Sequence, residues 1–384
     1  MLECSNNRTD NFIAEPSISF YVRVFLFALI MLGSVLGNAV VCKAILSLPT
    51  RQLLFSYYLV TNLAAAEIIS SLCFPFYFVY DWLNHWPFGV VACKLVFPIQ
   101  MTAMFVVTYT LAFIAVYRYR VIVFKCHKLV SRSLAKVLLV LGLLWGAGLT
   151  VVLPVGVMHD QVRVSSGKNH CRALFPGDTC NDAPRHTKYS IARFIVSFIV
   201  PYLVILMSYI AVTLKIKNHV VESNTTHTND ITGENPPLRQ NGHPQFIALQ
   251  EMEGNACMQK EKRKTNKAKY LTGKVGRPRR ALPPVQGVRA RHGDGCSVMN
   301  FELDILRMIY LIILIFIVCY IPIQVVFIYE QVKGGLSDWP YYIIFRRYAF
   351  LLTCLPGAFH PILYGTMSKF YAKAFATLVS CNTK

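Results

Sequence analysis

Long apolar runs alternate with short polar segments along the sequence. Seven such runs recur, and each provides the roughly 20 apolar residues that a helix needs to cross a bilayer. Their continuous apolar character favours helices over the alternating strands of a membrane barrel. The predicted fold class is all-α membrane, a seven-transmembrane helix bundle. The predicted helices span about 20–46, 54–81, 92–124, 134–158, 189–215, 303–330 and 340–365.

The residues after the seventh run predict a shorter, amphipathic eighth helix. Phe370, Ala374 and Leu378 fall on one helical face and lysines fall on another, as in helices that lie in the membrane interface. We expect this helix and a cytoplasmic tail to occupy residues 366–384. Cys381 is a candidate for palmitoylation there, with an unmodified thiol as the alternative.

Basic residues set the expected orientation of the bundle, which occupies residues 20–365. Lys43 lies at the end of the first run and Arg51 follows it, so that connection is expected to face the cytoplasm. The N-terminal segment 1–19 would then be extracellular and the C-terminus intracellular, in a multi-pass protein of the plasma membrane. Asn7 begins a glycosylation sequon in that segment. The first run is too long for a signal peptide and is expected to be an uncleaved anchor.

Composition favours a membrane bundle over two or three soluble domains, since 54% of the residues are hydrophobic and 15% are charged. In a soluble protein, the net charge of +20 would suggest nucleic-acid binding. Here the basic residues lie between the runs, above all in the connection 216–302. Residues 260–291 contain 12 Lys and Arg against one acid, Glu261. We expect a disordered cytoplasmic loop that is attracted to anionic lipid, and no nucleic-acid partner.

Several short motifs stand at corresponding depths in successive runs. They are Gly37-Asn38 in the first, Asn62 to Glu67 in the second, Tyr117-Arg118-Tyr119 in the third, Cys319 to Pro322 in the sixth, and His360-Pro361 with Tyr364 in the seventh, while Trp86 to Gly89 precedes Cys93. In these motifs the chain resembles rhodopsin-like (class A) G-protein-coupled receptors, and among them peptide receptors of orphan type. Its switch motifs are degenerate, with Tyr117 for the family's Asp, Tyr320 for Trp and His360 for Asn.

The resemblance implies a receptor and not an enzyme, with no cofactor and no metal. It also implies a disulfide between Cys93, at the start of the third helix, and Cys171, in the second extracellular loop. Cys4 and Cys180 are also expected outside the cell, where thiols oxidise. A second disulfide between these two and a pair of free thiols are alternative outcomes.

The resemblance further implies a set of activation-switch residues inside the bundle. They are Glu67, Arg118, Tyr209, Glu302, Phe316, Pro322, His360 and Tyr364. Arg118 is expected to pair with Glu302 across the third and sixth helices in the resting state. Glu67 stands where the family binds sodium, but Val107 and His360 replace the usual polar neighbours. We therefore expect a contact between Glu67 and His360 in place of a sodium site.

The candidate ligand-binding residues lie near the outer ends of the predicted helices and in the bundle. They are Gln100, Arg193, Tyr320, Gln324, Arg346 and Arg347. Gln100 stands where aminergic receptors carry Asp, so an amine ligand would find no counter-ion there. The arginines, together with a basic second extracellular loop, favour an acidic or anionic ligand.

The predicted function is transduction of extracellular ligand binding, by a peptide or another acidic ligand, into G-protein activation. The expected partners are a heterotrimeric G protein, arrestin and the lipid bilayer. One alternative is a heptahelical binding or trafficking protein that does not signal, which the degenerate switch motifs leave open. A more distant alternative is a membrane transporter, which should show inverted repeats or broken helices.

Overall fold

A computed structural model of the chain describes residues 3–4, 13–47, 55–124, 134–164, 167–179, 183–229, 294–333, 338–367 and 376. Within these ranges the side chains of residues 3–4, 216–229 and 294–309 and of a few single positions are not described. Asn7, Cys381, most of the basic loop 216–302 and most of the amphipathic segment 366–384 lie outside the described residues. The predictions for them stay predictions.

All seven predicted membrane helices are present. They are α1 (Ser17–Leu46), α2 (Phe55–Leu83), α3 (Gly89–Phe124), α4 (Leu134–Met158), α5, with the consecutive parts Pro184–Phe194, a π-helical segment Ile195–Ile199 and Val200–Asn229, α6 (Asp294–Lys333) and α7 (Tyr342–Met367). The main differences from the sequence-based bounds are the earlier start of α5, at Pro184, and of α6, at Asp294.

Six of the seven helices in the described part of the chain are long and apolar enough to cross a membrane by length and composition alone. The exception is α7, which carries Arg346 and Arg347 near its start and His360 near its end. These polar residues are partly or fully buried against other helices. The polar residues that lower the hydropathy of α7 therefore pack against other helices and are not exposed to lipid.

Close helix packing places α1 between α2 and α7, and α3 between α2 and α4. Gly37 in α1 makes the contact with α7 so close that a Cβ atom at this position would lie 2.7 Å from Cβ of Pro361. The largest apolar core lies along α3, where residues such as Phe105 and Leu111 are buried with Phe316 of α6. These helices belong to a compact unit formed by Met1–Ala211 and Ile305–Lys384, and Val212–Asp304 forms a second unit.

A small β-sheet lies beside the bundle between α4 and α5. Strands β2 (His159–Val164) and β3 (Asn169–Ala173) form an antiparallel hairpin, and β1 (Glu3–Cys4) pairs with β2 in parallel. The backbone N–H of Trp86, between α2 and α3, donates a 2.7 Å hydrogen bond to the carbonyl of Asn169. We call this end of the bundle the hairpin end.

Candidate functional site

A disulfide ties the hairpin to α3. Cys93 in α3 and Cys171 in β3 are bonded, with 5.6 Å between their Cα atoms. Both are buried beside Trp86, whose indole N–H donates a 2.8 Å hydrogen bond to the carbonyl of Gly89. The predicted Cys93–Cys171 disulfide is confirmed, and it holds β3 at the hairpin end.

The pairing of Cys4 with Cys180 is not described, because Cys180 and the Cys4 side chain lie outside the described part of the chain. The backbone of Cys4 stands opposite Val164, and that of Glu3 stands opposite Arg163. This register brings the N-terminal segment to the hairpin, where the predicted second disulfide would form. The second disulfide stays a prediction.

Arg347 belongs to a group of two acids and two bases at the hairpin end, which we call the four-charge cluster. Its members are Glu15, Arg23, Asp81 and Arg347. Arg23 donates hydrogen bonds of 3.0 and 2.8 Å to the two carboxylate oxygens of Glu15. Arg347 donates a 2.9 Å hydrogen bond to Glu15, and its Nε lies 2.9 Å from Oδ2 of Asp81. The Arg347 guanidinium is therefore paired with carboxylates of the protein itself.

The four-charge cluster joins the segment before α1 to α1, α2 and α7. Burial alone would raise the pKa of the Glu15 carboxyl, but hydrogen bonding and charge from Arg23, with the charge of Arg347, lower it below its ordinary value. The side chains of Glu15 and Arg23 are only 4% and 3% exposed. The cluster thus has a buried Glu15–Arg23 pair, and its two acids balance its two bases in formal charge.

Arg346, the second candidate in α7, also has a protein partner. Its Nε lies 3.0 Å from Oε1 of Glu330 in α6, and the same oxygen accepts a 3.0 Å hydrogen bond from the Tyr342 hydroxyl. The Arg346 side chain is 43% exposed, so solvent screens this ion pair. Arg346 joins α6 to α7 at the hairpin end.

Arg193 in α5 differs from both of these arginines. It is partly buried, and in the described part of the chain no carboxylate lies within ion-pair distance of it and its Nε has no hydrogen-bond partner. Its guanidinium carbon lies 5.8 Å from the ring centroid of Phe327 in α6. Of the three predicted arginines, Arg193 alone keeps its positive charge unpaired among the described residues.

Gln100 lies in α3, where it is 7% exposed. Its amide nitrogen donates a 2.9 Å hydrogen bond to the Ser70 hydroxyl of α2, and Ser70 in turn donates to the Met104 sulfur over 3.6 Å. The Gln100 side-chain oxygen has no hydrogen-bond donor among the described residues. Gln100 therefore has its donor group engaged and its acceptor group free.

Tyr320 and Phe316 stack on successive turns of α6, with 4.4 Å between their ring centroids. The Tyr320 hydroxyl donates a 3.1 Å hydrogen bond to the Met104 sulfur. Gln324 lies one turn closer to the hairpin end, where it is partly buried, and Pro322 lies between the two. Tyr320 thus connects α6 to α3 through Met104, one turn of α3 away from Gln100.

The π-helical segment of α5 is held by α3. A π-helical turn leaves carbonyl groups without the usual intrahelical partners. The Thr108 hydroxyl donates a 3.0 Å hydrogen bond to the carbonyl of Ser197, and the Tyr109 hydroxyl donates a 2.8 Å hydrogen bond to that of Val196. The apolar pattern of the sequence does not predict the π-helical segment or its bonds to α3. A π-helical turn differs from an α-helical turn in the spacing of its backbone hydrogen bonds, which the pattern of side chains does not show.

Glu67 and His360 meet in the middle of the bundle. Nδ1 of His360 lies 3.1 Å from Oε1 of Glu67, and both side chains are buried. The predicted contact is therefore present, but it is not a well-aligned hydrogen bond between these two atoms. Gly357 lies against the same carboxylate, since a Cβ atom there would lie 2.9 Å from Oε2 of Glu67 and 2.5 Å from Oγ of Ser34.

Other polar groups surround this pair. The Ser34 and Ser71 hydroxyls are 2.7 Å apart, and the Asn38 amide donates hydrogen bonds of 2.9 and 2.8 Å to the carbonyls of Ser34 and Gly357. A second set links Asn62 to the Thr110 hydroxyl, over 2.8 Å, and to the indole of Trp145, over 2.9 Å. These bonds join α1 to α2 and α7, and they join α2 to α3 and α4.

The remaining switch residues lie towards the end of the bundle opposite the hairpin. Arg118 in α3 is 4% exposed and lies 5.7 Å from the ring centroid of Tyr117. Its charge interacts with Tyr209 in α5, whose ring packs edge-on against Tyr310 of α6. Tyr364 is buried. The Glu302 side chain lies outside the described residues, so its pairing with Arg118 stays a prediction.

Sequence reasoning missed three members of the four-charge cluster, Glu15, Arg23 and Asp81. A usable signal existed, because Arg23 is a charge inside the first apolar run, and such residues usually have a partner. Met104 and Ser70 were also missed. An apolar methionine on a core helix gives no sequence signal that it accepts hydrogen bonds.

The fold and these motif contacts define a heptahelical membrane receptor. Residues 37–364 match the family described as the 7 transmembrane receptor (rhodopsin family), which covers most of the chain. The chain therefore belongs to the rhodopsin family of seven-transmembrane receptors, a receptor family and not a family of enzymes. The predicted fold class and family resemblance are confirmed.

The similar curated proteins carry one name in several organisms. The chain is 28% identical over 204 residues to the protein named neuropeptide Y receptor type 2 from Gallus gallus, and equally to that from Homo sapiens. The Mus musculus protein of the same name is 26% identical over the same length. Each alignment covers 52% of this chain and 52% of the relative, so the chain spans about half the length of the curated relatives it matches.

Proposed function

We propose that this chain is a plasma-membrane receptor that converts binding of an extracellular peptide at the hairpin end into activation of a heterotrimeric G protein. The observation that carries the proposal is a series of polar contacts along α3. Gln100 bonds Ser70 nearest the hairpin end, Tyr320 of α6 bonds Met104 one turn further along, and Arg118 lies near the opposite end. Membership of the rhodopsin family supports this reading of the series.

The proposed orientation places the hairpin end outside the cell. The Cys93–Cys171 disulfide supports this, because disulfides persist in oxidising compartments. Lys43, near the other end of α1, supports a cytoplasmic location for that end. Under this proposal the N-terminus with Asn7 is extracellular and the C-terminus with Cys381 is intracellular.

The proposed ligand class is a peptide. Relatives that share about a quarter of the aligned residues are named as receptors of neuropeptide Y, and this supports a peptide over a small amine. Gln100 supports the same choice, since an uncharged amide provides no counter-ion for an amine. No particular peptide follows from a 28% identity over half of the chain.

The proposed transduction step is a movement of α6 relative to α3. A ligand that binds better to one arrangement of Tyr320 and Phe316 would shift the population of α6 positions. At the opposite end, α6 would move away from Arg118, separate the proposed Arg118–Glu302 pair and admit a G protein, with arrestin as a further partner. Tyr209 and Tyr364 would then be available to bond beside Arg118.

Guanine-nucleotide exchange tests this function. Membranes that contain the chain should accelerate exchange on purified heterotrimeric G proteins, and a peptide library should contain members that increase the rate further. Arg118→Ala should lower both rates at equal receptor amounts. Equal rates with and without the receptor, and no response to peptides, would favour the alternative of a non-signalling binding or trafficking protein, which Tyr117, Tyr320 and His360 motivate.

A further inference from the structure

No carboxylate in the described part of the chain lies within ion-pair distance of Arg193. Its charge interacts electrostatically with Tyr77 of α2 and with Tyr189 of α5, and its guanidinium faces the Phe327 ring at 5.8 Å. His159 of β2 is also near enough to feel this charge. A guanidinium among neutral groups has lost part of its hydration without gaining a counter-ion, which is unfavourable unless an anion binds.

The nearby His159 side chain cannot neutralise Arg193, because an imidazole is either neutral or positively charged. Burial lowers the pKa of His159 below its ordinary value, and the charge of Arg193 adds to the effect, although a backbone bond opposes it. Nδ1 of His159 lies 2.7 Å from the carbonyl of Val155, and its ring stacks on Phe97 with 4.9 Å between centroids. His159 is therefore a neutral side chain in the wall of the hairpin end.

Gln100 contributes the complementary group on α3. Its amide N–H donates to Ser70, which fixes the orientation of the side chain and leaves the oxygen without a donor. A buried amide oxygen with no partner has lost its hydration without gaining a hydrogen bond, which is unfavourable. A ligand N–H group would remove that cost.

Tyr77 connects the surroundings of Arg193 with those of Gln100. Its ring packs edge-on against Phe97 at 4.7 Å and tilts against Phe350 of α7 at 6.0 Å. Phe97 lies one turn of α3 from Gln100, towards the hairpin end. Packed aromatic side chains from α2, α3 and α7 thus lead from Tyr77, which senses the charge of Arg193, to the turn of α3 next to Gln100.

We infer that Arg193 binds a carboxylate and that Gln100 accepts a hydrogen bond from a neighbouring N–H group of the same ligand. A free peptide C-terminus next to an aromatic residue has this chemistry, because it presents a carboxylate, a ring and an amide N–H within one residue. The inference rests on the proposed receptor function and names the end of the peptide that the bundle would recognise. Arginine suits a carboxylate because its planar fork can donate two parallel hydrogen bonds.

The test uses the full chain in lipid nanodiscs and two matched probes, N-acetylphenylalanine and its C-terminal amide. Thermal unfolding is recorded over a concentration series of each probe, and the stabilisation yields a dissociation constant. We expect the acid to raise the unfolding temperature and the amide to do so at about 30-fold higher concentration or not at all. This wild-type comparison requires no variant to fold.

Variants then locate the site. Arg193→Gln should remove the preference for the acid over the amide, Arg193→Lys should retain part of it, and Gln100→Leu should weaken both probes. The matched control is Lys94→Gln, which removes a cation of α3 that already lies 3.8 Å from Asp160 and should leave the preference unchanged. Inorganic phosphate at equal ionic strength serves as the control for a general anion effect.

Three outcomes would overturn the inference. They are no stabilisation of the wild-type chain by the acid, equal stabilisation by acid and amide, and stabilisation by phosphate equal to that by the acid. A preference that survives in Arg193→Gln would also overturn it. None of these outcomes bears on nucleotide exchange, so failure of this inference is distinguishable from failure of the proposed receptor function.

Discussion

The Tyr320 hydroxyl donates a hydrogen bond to the Met104 sulfur, 3.1 Å away, and so joins α6 to α3 in the middle of the bundle. Met104 also accepts from Ser70, which holds Gln100. A contact at the hairpin end can therefore reach α6 through three side chains of α2 and α3. This relationship gives a physical route from the candidate ligand site to a helix that the proposed function requires to move.

Removing either partner of this hydrogen bond should lower stability. We expect Tyr320→Phe and Met104→Leu each to reduce the free energy of unfolding by about 1 kcal/mol. Since they remove the same interaction, the double variant should lose less than the sum of the two. Thermal unfolding in nanodiscs measures all three variants.

Tyr202→Phe is the matched control for this experiment. Its hydroxyl is buried and has no hydrogen-bond partner among the described residues, and its ring packs against Phe316 at 6.0 Å. Removing that hydroxyl should leave stability unchanged or raise it. Strictly additive losses in the Tyr320 and Met104 variants would show that the two side chains are not coupled.

The disulfide should contribute strongly to the stability of the hairpin end. Cys93 and Cys171 are 78 residues apart in sequence, so their bond restricts a long segment of the unfolded chain. Cys93→Ser or Cys171→Ser should therefore cost about 2–4 kcal/mol and reduce the amount of receptor at the cell surface. Cys42→Ser, at a free and partly buried cysteine, should change neither quantity much. Normal surface amounts in both bridge variants would refute this role.

A side chain at Gly357 should be destabilising, because this glycine lies against Glu67 and Ser34. A Cβ atom would come within 2.9 Å of Oε2 of Glu67 and 2.5 Å of Oγ of Ser34. Gly357→Ala should therefore displace these side chains and cost about 1–3 kcal/mol. At Gly142 in α4 a Cβ atom would meet nothing within 4 Å, and Gly142→Ala should stabilise the helix by up to about 1 kcal/mol. Similar melting temperatures for both variants would contradict the crowding around Gly357.

Features with a local or motif signature were predictable from sequence. The apolar runs predict the seven helices because length and continuous hydropathy suffice. The Cys93–Cys171 bond and the Glu67–His360 contact follow from motif positions, since the resemblance specifies where successive helices face one another. The structure contains both contacts, at positions far apart in sequence.

Features that depend on long-range pairing were not predictable. Sequence presents Arg193, Arg346 and Arg347 as equivalent cations near helix ends. The structure distinguishes them because Glu330 meets Arg346, and Glu15 with Asp81 meets Arg347, while no described carboxylate meets Arg193. Which acid reaches which base depends on helix rotation and on the path of the segment before α1. Neither is encoded in a local pattern.

The four-charge cluster makes a prediction about pH. The pKa of Glu15 is lowered from its ordinary value of 4.5, so the folded state favours the ionised carboxylate more than the unfolded state does. Its contribution to stability is therefore fully present above pH 4.5 and is lost as the pH falls through the lowered pKa. Because Glu15 is buried between Arg23 and Arg347, Glu15→Gln should cost on the order of 3 kcal/mol at pH 7.

Thermal unfolding of Glu15→Gln and the wild-type chain between pH 7 and pH 3 tests this sign. The difference between the two should be largest at pH 7 and should shrink on acidification, since both then carry a neutral side chain at this position. Glu330→Gln is the matched control, because its partner Arg346 is 43% exposed and solvent screens that pair, so the loss at pH 7 should stay below about 1 kcal/mol. A difference for Glu15→Gln that does not change with pH would mean that shape, and not charge, makes Glu15 important.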